Sequence, residues 1–355
     1  MIIPRFELAP SYSISRIILG GWQLAHGHGQ QKIGRATTDE LLRGALRAGV
    51  TTLDCADIYT GVEELIGTFL GSTRPDVPVQ IHTKYVPDLS ALSTLTERDT
   101  RQTVERSLRR LGVERLDLVQ FHWWDFDIPG YVEAALTLDR LRKGGRISHI
   151  GVTNFDASHL SELLDAGVPV IANQVQYSVL DRRPEDEMAQ LCEEHGISLL
   201  CYGTLAGGFL SDAYLGVSEP REPFENRSLV KYRLIIDEYG NWERFQHLLR
   251  ALRAIGDRHD ADISAVASRL VLDRPHVAAS VTGIRSPVYL QEAEHVFSLE
   301  LDPGDLAELS ACFAEAAGPL GPVYGLERVK GGRHARIMRT DLNRLNPAAN
   351  HRPTR

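Results

Sequence analysis

Thr51-Thr-Leu-Asp-Cys-Ala-Asp-Ile-Tyr59 reads as a short strand running into a loop. Thr51 to Asp54 is β-branched and apolar, and it follows a helical run closed by Gly49. The loop carries an acid, Asp54, and a phenol, Tyr59. Two further strand ends offer partners for them. Lys84 ends Val79-Gln-Ile-His-Thr-Lys84, and His122 ends Leu116-Asp-Leu-Val-Gln-Phe-His122. Groups placed at the C-terminal ends of several strands meet only if those strands run parallel around a common axis.

The rest of the chain supplies that axis. Strand-like and helix-like segments alternate with short turns between them, which implies a parallel sheet. The expected strands are Ile14 to Leu19, Thr51 to Asp54, the runs ending at Lys84 and His122, Ile147 to Val152, Val170 to Gln176, Ser198 to Tyr202 and Val277 to Thr282. Helices are expected between them, among them Thr96 to Leu111, stopped by Gly112, and one beginning at Pro129. Eight strand-helix units make an α/β chain of the (β/α)8 TIM-barrel class the economical fold. The rhythm breaks after Tyr202, where residues 203 to 240 read as a long connection of the kind that usually carries function. The barrel is expected to occupy residues 1–317. From Pro319 onward eight Arg or Lys face only Glu327 and Asp341, and residues 318–355 are expected to form a basic C-terminal extension. Tyr324-Gly-Leu-Glu-Arg-Val-Lys330 and His334-Ala-Arg-Ile-Met338 offer apolar anchors by which it could fold over the barrel mouth, the alternative being a solvated tail with its last residues frayed.

Composition narrows the classes. A formal net charge of −8 argues against nucleic-acid binding. No apolar run approaches the ~20 residues that span a bilayer. The four cysteines, Cys55, Cys192, Cys201 and Cys312, are widely spaced and read as reduced core thiols, so a cytoplasmic monomer or small homo-oligomer is the expectation.

A free tyrosine, with a pKa near ~10, is a poor acid at neutral pH. An ammonium beside it favours the phenolate, and a carboxylate such as Asp54 would hold that ammonium charged and aimed. A histidine can then orient a substrate carbonyl by hydrogen bond. Such a set suits proton donation to a carbonyl oxygen while a hydride reaches its carbon.

Strand-Asp-x-Ala-x-x-Tyr, then strand-Lys, then Asp-Leu-x-x-x-His, in this order, resembles the aldo-keto reductase family, and the resemblance runs from about residue 14 to 297. It implies Tyr59 as general acid, Lys84 and Asp54 as its tuners and His122 as orienter. It also implies a nicotinamide dinucleotide lying across the barrel mouth, which agrees with the lack of any Gly-x-Gly-x-x-Gly after a strand. Gly151-Val-Thr-Asn-Phe155 and Asn173-Gln-Val-Gln-Tyr177 match the family's carboxamide-binding segments and nominate Thr153, Asn154 and Gln174. Tyr202 stands where the family stacks an aromatic on the nicotinamide. Gly203, Thr204 and Leu205 replace the usual Ser-Pro-Leu, with Gly207 and Gly208 permitting close approach to a pyrophosphate. Gly21 and Trp22, after the first strand, complete this side of the cofactor path. Thr282-Gly-Ile-Arg-Ser-Pro287 resembles the family's 2′-phosphate site, so Gly283, Arg285 and Ser286, with Glu292 as an adenine or ribose contact, point to NADP(H). Tyr289 and Ala293 stand where the family often has Arg or Gln, and Asn, which keeps NAD(H) open.

The substrate is expected to be a small carbonyl compound, held by Trp22, Tyr59, His122 and Trp123, with Trp124 and the 203–240 connection nearby. His26 and His28 superficially suggest a metal pair, but no third ligand lies near them in sequence. The rival readings are a sugar or alcohol dehydrogenase, a nicotinamide-binding regulatory subunit with the basic tail as its interface, and a lyase or isomerase that uses Lys84.

Overall fold

In the computed structural model, which describes residues 3–25, 35–283, 295–316 and 318–343, the chain opens with an antiparallel hairpin. Its strands are Arg5–Ala9 (β1) and Tyr12–Ser15 (β2). Ile17–Gly20 (β3), Thr52–Asp54 (β4), Gln80–Tyr85 (β5), Leu116–Phe121 (β6), Ile147–Thr153 (β7), Val170–Gln176 (β8), Ser198–Tyr202 (β9) and Val277–Thr282 (β10) then form a closed ring of eight parallel strands. Closure comes from β10, which pairs with β9 on one side and β3 on the other. Most strand residues are buried, the polar ones of β4, β5 and β8 included, because side chains fill the ring and helices cover it.

The single strand expected over Ile14 to Leu19 is two strands with a corner at Arg16. The corner is held from outside: the Arg16 guanidinium donates to the carbonyls of Leu272, Val277 and Ala278. The hairpin that precedes it plugs the bottom of the ring. Leu8 and Ile14 pack with Ile18, Leu118, Ala172, Leu200 and Ala278, and the Tyr12 hydroxyl lies 3.0 Å from His82 Nε2. With that end filled by side chains, the chemistry is left to the other end.

Helices cover the ring. Those framing the site are Arg35–Arg47 (α1), Val62–Thr73 (α2), Glu97–Leu111 (α3), Tyr131–Lys143 (α4), Ala157–Asp165 (α5) and Glu187–His195 (α6). Thr96 starts α3 with a capping box shared with Asp99, and left-handed Gly112 ends it. The 203–240 connection is not irregular throughout. Arg227–Tyr239 (α7) is a helix, begun by the Asn226 side chain and buried through Tyr232, Ile235, Ile236 and Tyr239. It joins Trp242–His259 (α8), Ile263–Leu272 (α9) and Pro303–Ala314 (α10) in a second apolar cluster beside the barrel. All four cysteines are buried and free, and no helix among the described residues is long and apolar enough to cross a membrane.

Residues 318–343 pack against the loops that follow β5, β6 and β7. They contain one short helical turn, Gly325–Arg328 (α11). Past it, Leu89 N–H donates to the Thr340 carbonyl at 2.8 Å and Asn343 N–H to Asp88 at 2.9 Å, which carries this segment to the loop after β5.

Candidate active site

Parallel register sets the centre. Asp54 ends β4, Lys84 lies one pair from the end of β5, and Gln120 stands opposite Lys84 on β6. The Lys84 ammonium pairs with Asp54 Oδ1 and donates to the Cys55 carbonyl at 3.0 Å. Asp54 Oδ2 accepts from Gln120 Nε2 and from Gln174 Nε2, each at 2.8 Å. Gln174 Nε2 also reaches Gln120 Oε1 at 2.9 Å. Each buried charge thus has a charged partner and the carboxylate's second oxygen is satisfied, the condition under which a buried pair persists. Burial works against the Lys84 cation, but the Asp54 carboxylate outweighs it and holds the ammonium above its ordinary value.

Tyr59 lies just beyond, in the loop that opens α2. Lys84 Nζ is 5.1 Å from the centre of its ring, and the Trp22 ring packs 4.9 Å from it on the other strand-end loop. Burial raises the phenol above its ordinary pKa, with Lys84 opposing the rise. The net direction is therefore upward, contrary to the lowering expected from the ammonium alone: enclosure of the ring outweighs one nearby cation whose charge Asp54 already balances.

His122 is buried, and its Nδ1 lies 3.0 Å from the Thr153 carbonyl. A carbonyl only accepts, so Nδ1 carries the proton and Nε2 of the neutral ring is an acceptor. Nε2 has no hydrogen-bond partner among the described residues. Burial, and then the Arg328 guanidinium, push the imidazole down to about 3, so it is neutral at any working pH.

The other nominated residues divide. Thr153, Asn154, Gln174 and Tyr202 gather beside Asp54 and His122. Thr153 Oγ1 donates to the Gln174 carbonyl at 3.1 Å, and the Tyr202 hydroxyl donates to Asn154 Oδ1 at 2.8 Å. Asn154 holds a left-handed φ of 61°. Trp123 does not line the mouth, a correction to its expected substrate contact. Its indole is fully buried, packs on Phe121 and Tyr131, and donates to the Ile128 carbonyl at 2.9 Å. Trp124 is the tryptophan beside the imidazole, edge-on at 4.4 Å.

The glycines have protein neighbours. A Cβ on Gly21 would meet the Asp54 carbonyl at 2.8 Å, one on Gly283 the Gln23 amide at 2.5 Å, and one on Gly203 or Gly207 the Tyr232 ring at 2.9 or 2.7 Å. Close approach at Gly207 is therefore taken by Tyr232, while Gly208 faces open space. The Leu205 side chain packs into the second apolar cluster. Arg285, Ser286, Glu292, His26 and His28 lie outside the described residues.

Sequence reasoning placed Tyr324 to Lys330 among the anchors of the extension but missed what their side chains meet, and missed Arg183 and Lys231 altogether. Tyr324 stands edge-on to His122 at 5.7 Å. Glu327 is buried and pairs with Arg183 at 3.3 Å and Lys231 at 3.5 Å, and Arg183 also pairs with Asp181 at 2.6 Å. Lys231 Nζ sits 4.9 Å from the Tyr202 ring centre. Burial alone would raise the Glu327 carboxyl, but Lys231 and Arg183 hold it below its ordinary value.

The aldo/keto reductase family model matches residues 16–314. The chain belongs to the aldo-keto reductase family. It is 26% identical over 330 residues to the NADH-specific methylglyoxal reductase of Escherichia coli, covering 86% of this chain and 96% of that protein. It is 26% identical over 320 residues to the aldo-keto reductase YhdN of Bacillus subtilis, covering 87% and 93%. Among solved structures it resembles a glycerol dehydrogenase of Gluconobacter oxydans with a TM-score of 0.72 at 25% identity, covering 88% of this chain and 95% of that one. A thermostable aldo-keto reductase in complex with the inhibitor epalrestat gives 0.69 at 25% identity, covering 87% and 99%. This aldo-keto reductase is thus an oxidoreductase of a family whose members use nicotinamide cofactors and act on small carbonyl compounds and alcohols.

Proposed function

We propose that this aldo-keto reductase reduces aldehydes or ketones to alcohols with NADPH, with Tyr59 as the general acid. The observation that carries the reading is the buried Lys84–Asp54 pair set 5.1 Å below the Tyr59 ring, measured from Nζ to the ring centre. The phenol keeps its proton at neutral pH; burial alone makes it a weaker acid, and Lys84 opposes that rise. Lys84 stabilises the phenolate left behind, and Asp54 keeps Lys84 charged. Neutral His122 presents Nε2 as an acceptor, so it holds the reacting oxygen once that oxygen has gained the proton. In the reverse direction it would take the hydrogen bond of an alcohol, which keeps a sugar or alcohol dehydrogenase as the near reading.

The residues beside this centre suit a nicotinamide group. Thr153, Asn154 and Gln174 offer a hydroxyl and two amides to a carboxamide, and Tyr202 offers a ring face. When bound, the dinucleotide supplies the hydride. Arg285 and Ser286, assigned to a 2′-phosphate, support NADPH, while Glu292, as an adenine or ribose contact, serves either dinucleotide. The NADH-specific relative supports NADH as the second reading. We further read residues 1–317 as the catalytic barrel and 318–355 as its cover. Free buried thiols suit a cytosolic setting.

The test is NADPH consumption with a panel of aldehydes and sugars, with NADH in parallel. Tyr59→Phe should lower kcat by about 10²–10⁴ with little change in NADPH affinity. Wild-type turnover in that variant would sink the mechanism. Arg285→Ala should lower kcat/KM for NADPH and spare NADH, and equal loss with both would remove the 2′-phosphate assignment.

A further inference from the structure

The mouth holds a cation that the proposed chemistry does not use. Arg328 ends the short helical turn of the extension, and its neighbour Glu327 is anchored below by Arg183 and Lys231. Its guanidinium lies between two rings, 4.3 Å from the centre of Phe126 and 5.1 Å from that of Tyr324. It forms no ion pair among the described residues. Two of its nitrogens donate to three backbone carbonyls instead, Nη2 to Trp123 and to Asn154, both at 2.9 Å, and Nε to Trp124 at 3.3 Å, while Nη1 has no hydrogen-bond partner among the described residues.

Those carbonyls belong to two different strand ends. Trp123 and Trp124 directly follow His122 after β6. Asn154 directly follows Thr153, whose carbonyl accepts a hydrogen bond from His122 Nδ1 at 3.0 Å. Asn154 is itself in the left-handed region and receives the Tyr202 hydroxyl. One rigid planar fork therefore spans the loop that carries the imidazole and the loop that carries the amide. A guanidinium presents five donors in fixed geometry, and an ammonium cannot reproduce that.

We propose that Arg328 is a positioning residue: by joining the Trp123–Trp124 carbonyls to the Asn154 carbonyl, it makes His122 and Asn154 a single unit whose spacing the extension sets. This rests on the reading that His122 faces the substrate and Asn154 the cofactor. The charge has a second consequence, since a cation beside His122 disfavours protonation of the ring. Small displacements of orienting groups are costly, and a shift near 1 Å lowers turnover by roughly 10²-fold.

Two measurements on the full-length protein test the idea. The first needs no cofactor or turnover. Hydrogen exchange of the unliganded protein should speed up in Arg328→Gln at both the 122–126 and 153–156 segments together, with the barrel strands unchanged. Arg328→Lys should show the same pairing, because it keeps the charge and loses the fork. Unchanged exchange at either segment overturns the proposal, and so does faster exchange spread over the whole barrel.

The second is a double-mutant cycle in kcat/KM. Arg328→Gln should cost roughly 10- to 100-fold alone, but less than about threefold in a His122→Ala background, because the unit is already broken there. Full, multiplicative loss in both backgrounds means a general structural role and overturns the proposal. Lys330→Ala, whose ammonium pairs with Asp125 and Asp127 at the surface, should leave the rate unchanged. Wild-type turnover that survives Tyr59→Phe would defeat the catalytic reading while leaving the exchange result to decide Arg328.

Discussion

Asp57 lies two residues before Tyr59 and is buried. Its carboxylate receives the Val86 N–H at 3.2 Å and faces Arg106 at 3.7 Å, while Oδ2 has no hydrogen-bond partner among the described residues. Burial raises the carboxyl to about 7, with Arg106 pulling the other way. The folded state therefore binds this proton more tightly than the unfolded chain, whose ordinary value is 3.8. Its contribution to stability is present below pH 3.8 and is lost as pH rises through 7. Asp57→Asn, which cannot ionise, should remove that slope. Denaturant unfolding at pH 4.5 and 7.5 should show the variant gaining on the wild type by a few kcal/mol, because each tenfold difference in proton affinity between the folded and unfolded chain is worth about 1.4 kcal/mol. Parallel curves at the two pH values would mean that Asp57 is ionised throughout. Asp54, Lys84 and His122 were legible in the sequence because each ends a strand-like run, and Tyr59 because it stands in the loop five positions after Asp54. The upward direction of the Tyr59 pKa and the hydrogen-bonding sense of His122 were not, because both depend on what encloses the group and on a carbonyl from another strand.

At the scale of elements, α2 and α3 touch through a residue with no side chain. A Cβ on Gly67 would meet the Leu111 carbonyl oxygen at 2.7 Å and its carbon at 2.8 Å, besides the Arg110 carbonyl. These are backbone atoms at a helix end and cannot turn aside. Gly71, in the same helix, has nothing within 4 Å. Gly67→Ala should therefore destabilise by about 1–3 kcal/mol through overpacking, and Gly71→Ala should stabilise by roughly 0.5–1 kcal/mol through helix propensity. Urea midpoints decide it, and two changes of the same sign would show that the helices can slide apart. Element boundaries were legible where caps mark them, as at Thr96 and Gly112 around α3. The β1–β2 hairpin was missed because Pro4, Pro10 and Ser11 interrupt its alternation, and because its partner surface is the barrel floor. The α7 helix was legible in principle from the spacing of Tyr232, Ile235, Ile236 and Tyr239, but the Gly- and Pro-rich start of that connection masked it.

On the scale of the whole molecule, the extension reads as basic, yet its firmest hold on the barrel is an acid. Lys330 and Arg333 pair with Asp125, Asp127, Asp237 and Glu238 while remaining largely exposed. Such pairs contribute little, because water screens them and long side chains must be ordered to make them. Glu327 differs: its side chain is 0% exposed, and its partners Arg183 and Lys231 are 2% and 14% exposed. Removing its charge leaves two enclosed cations, of which Arg183 keeps its pair with Asp181 and Lys231 keeps no ion pair among the described residues. Glu327→Gln should therefore cost about 3 kcal/mol, the low end of the loss when one member of a buried pair is removed, since the amide can still hydrogen-bond. Lys330→Ala should cost under about 1 kcal/mol. Composition could not rank these residues, because charge count carries no information about depth. The same comparison separates two pictures of the mouth. If buried charge holds the cover, Glu327→Gln should expose the 318–343 segment to protease before the barrel melts, and added salt should barely change wild-type cleavage. If surface charge holds it, about 0.5 M salt should speed cleavage of the wild type as much as the mutation does, because at that concentration screening acts within about 4–5 Å.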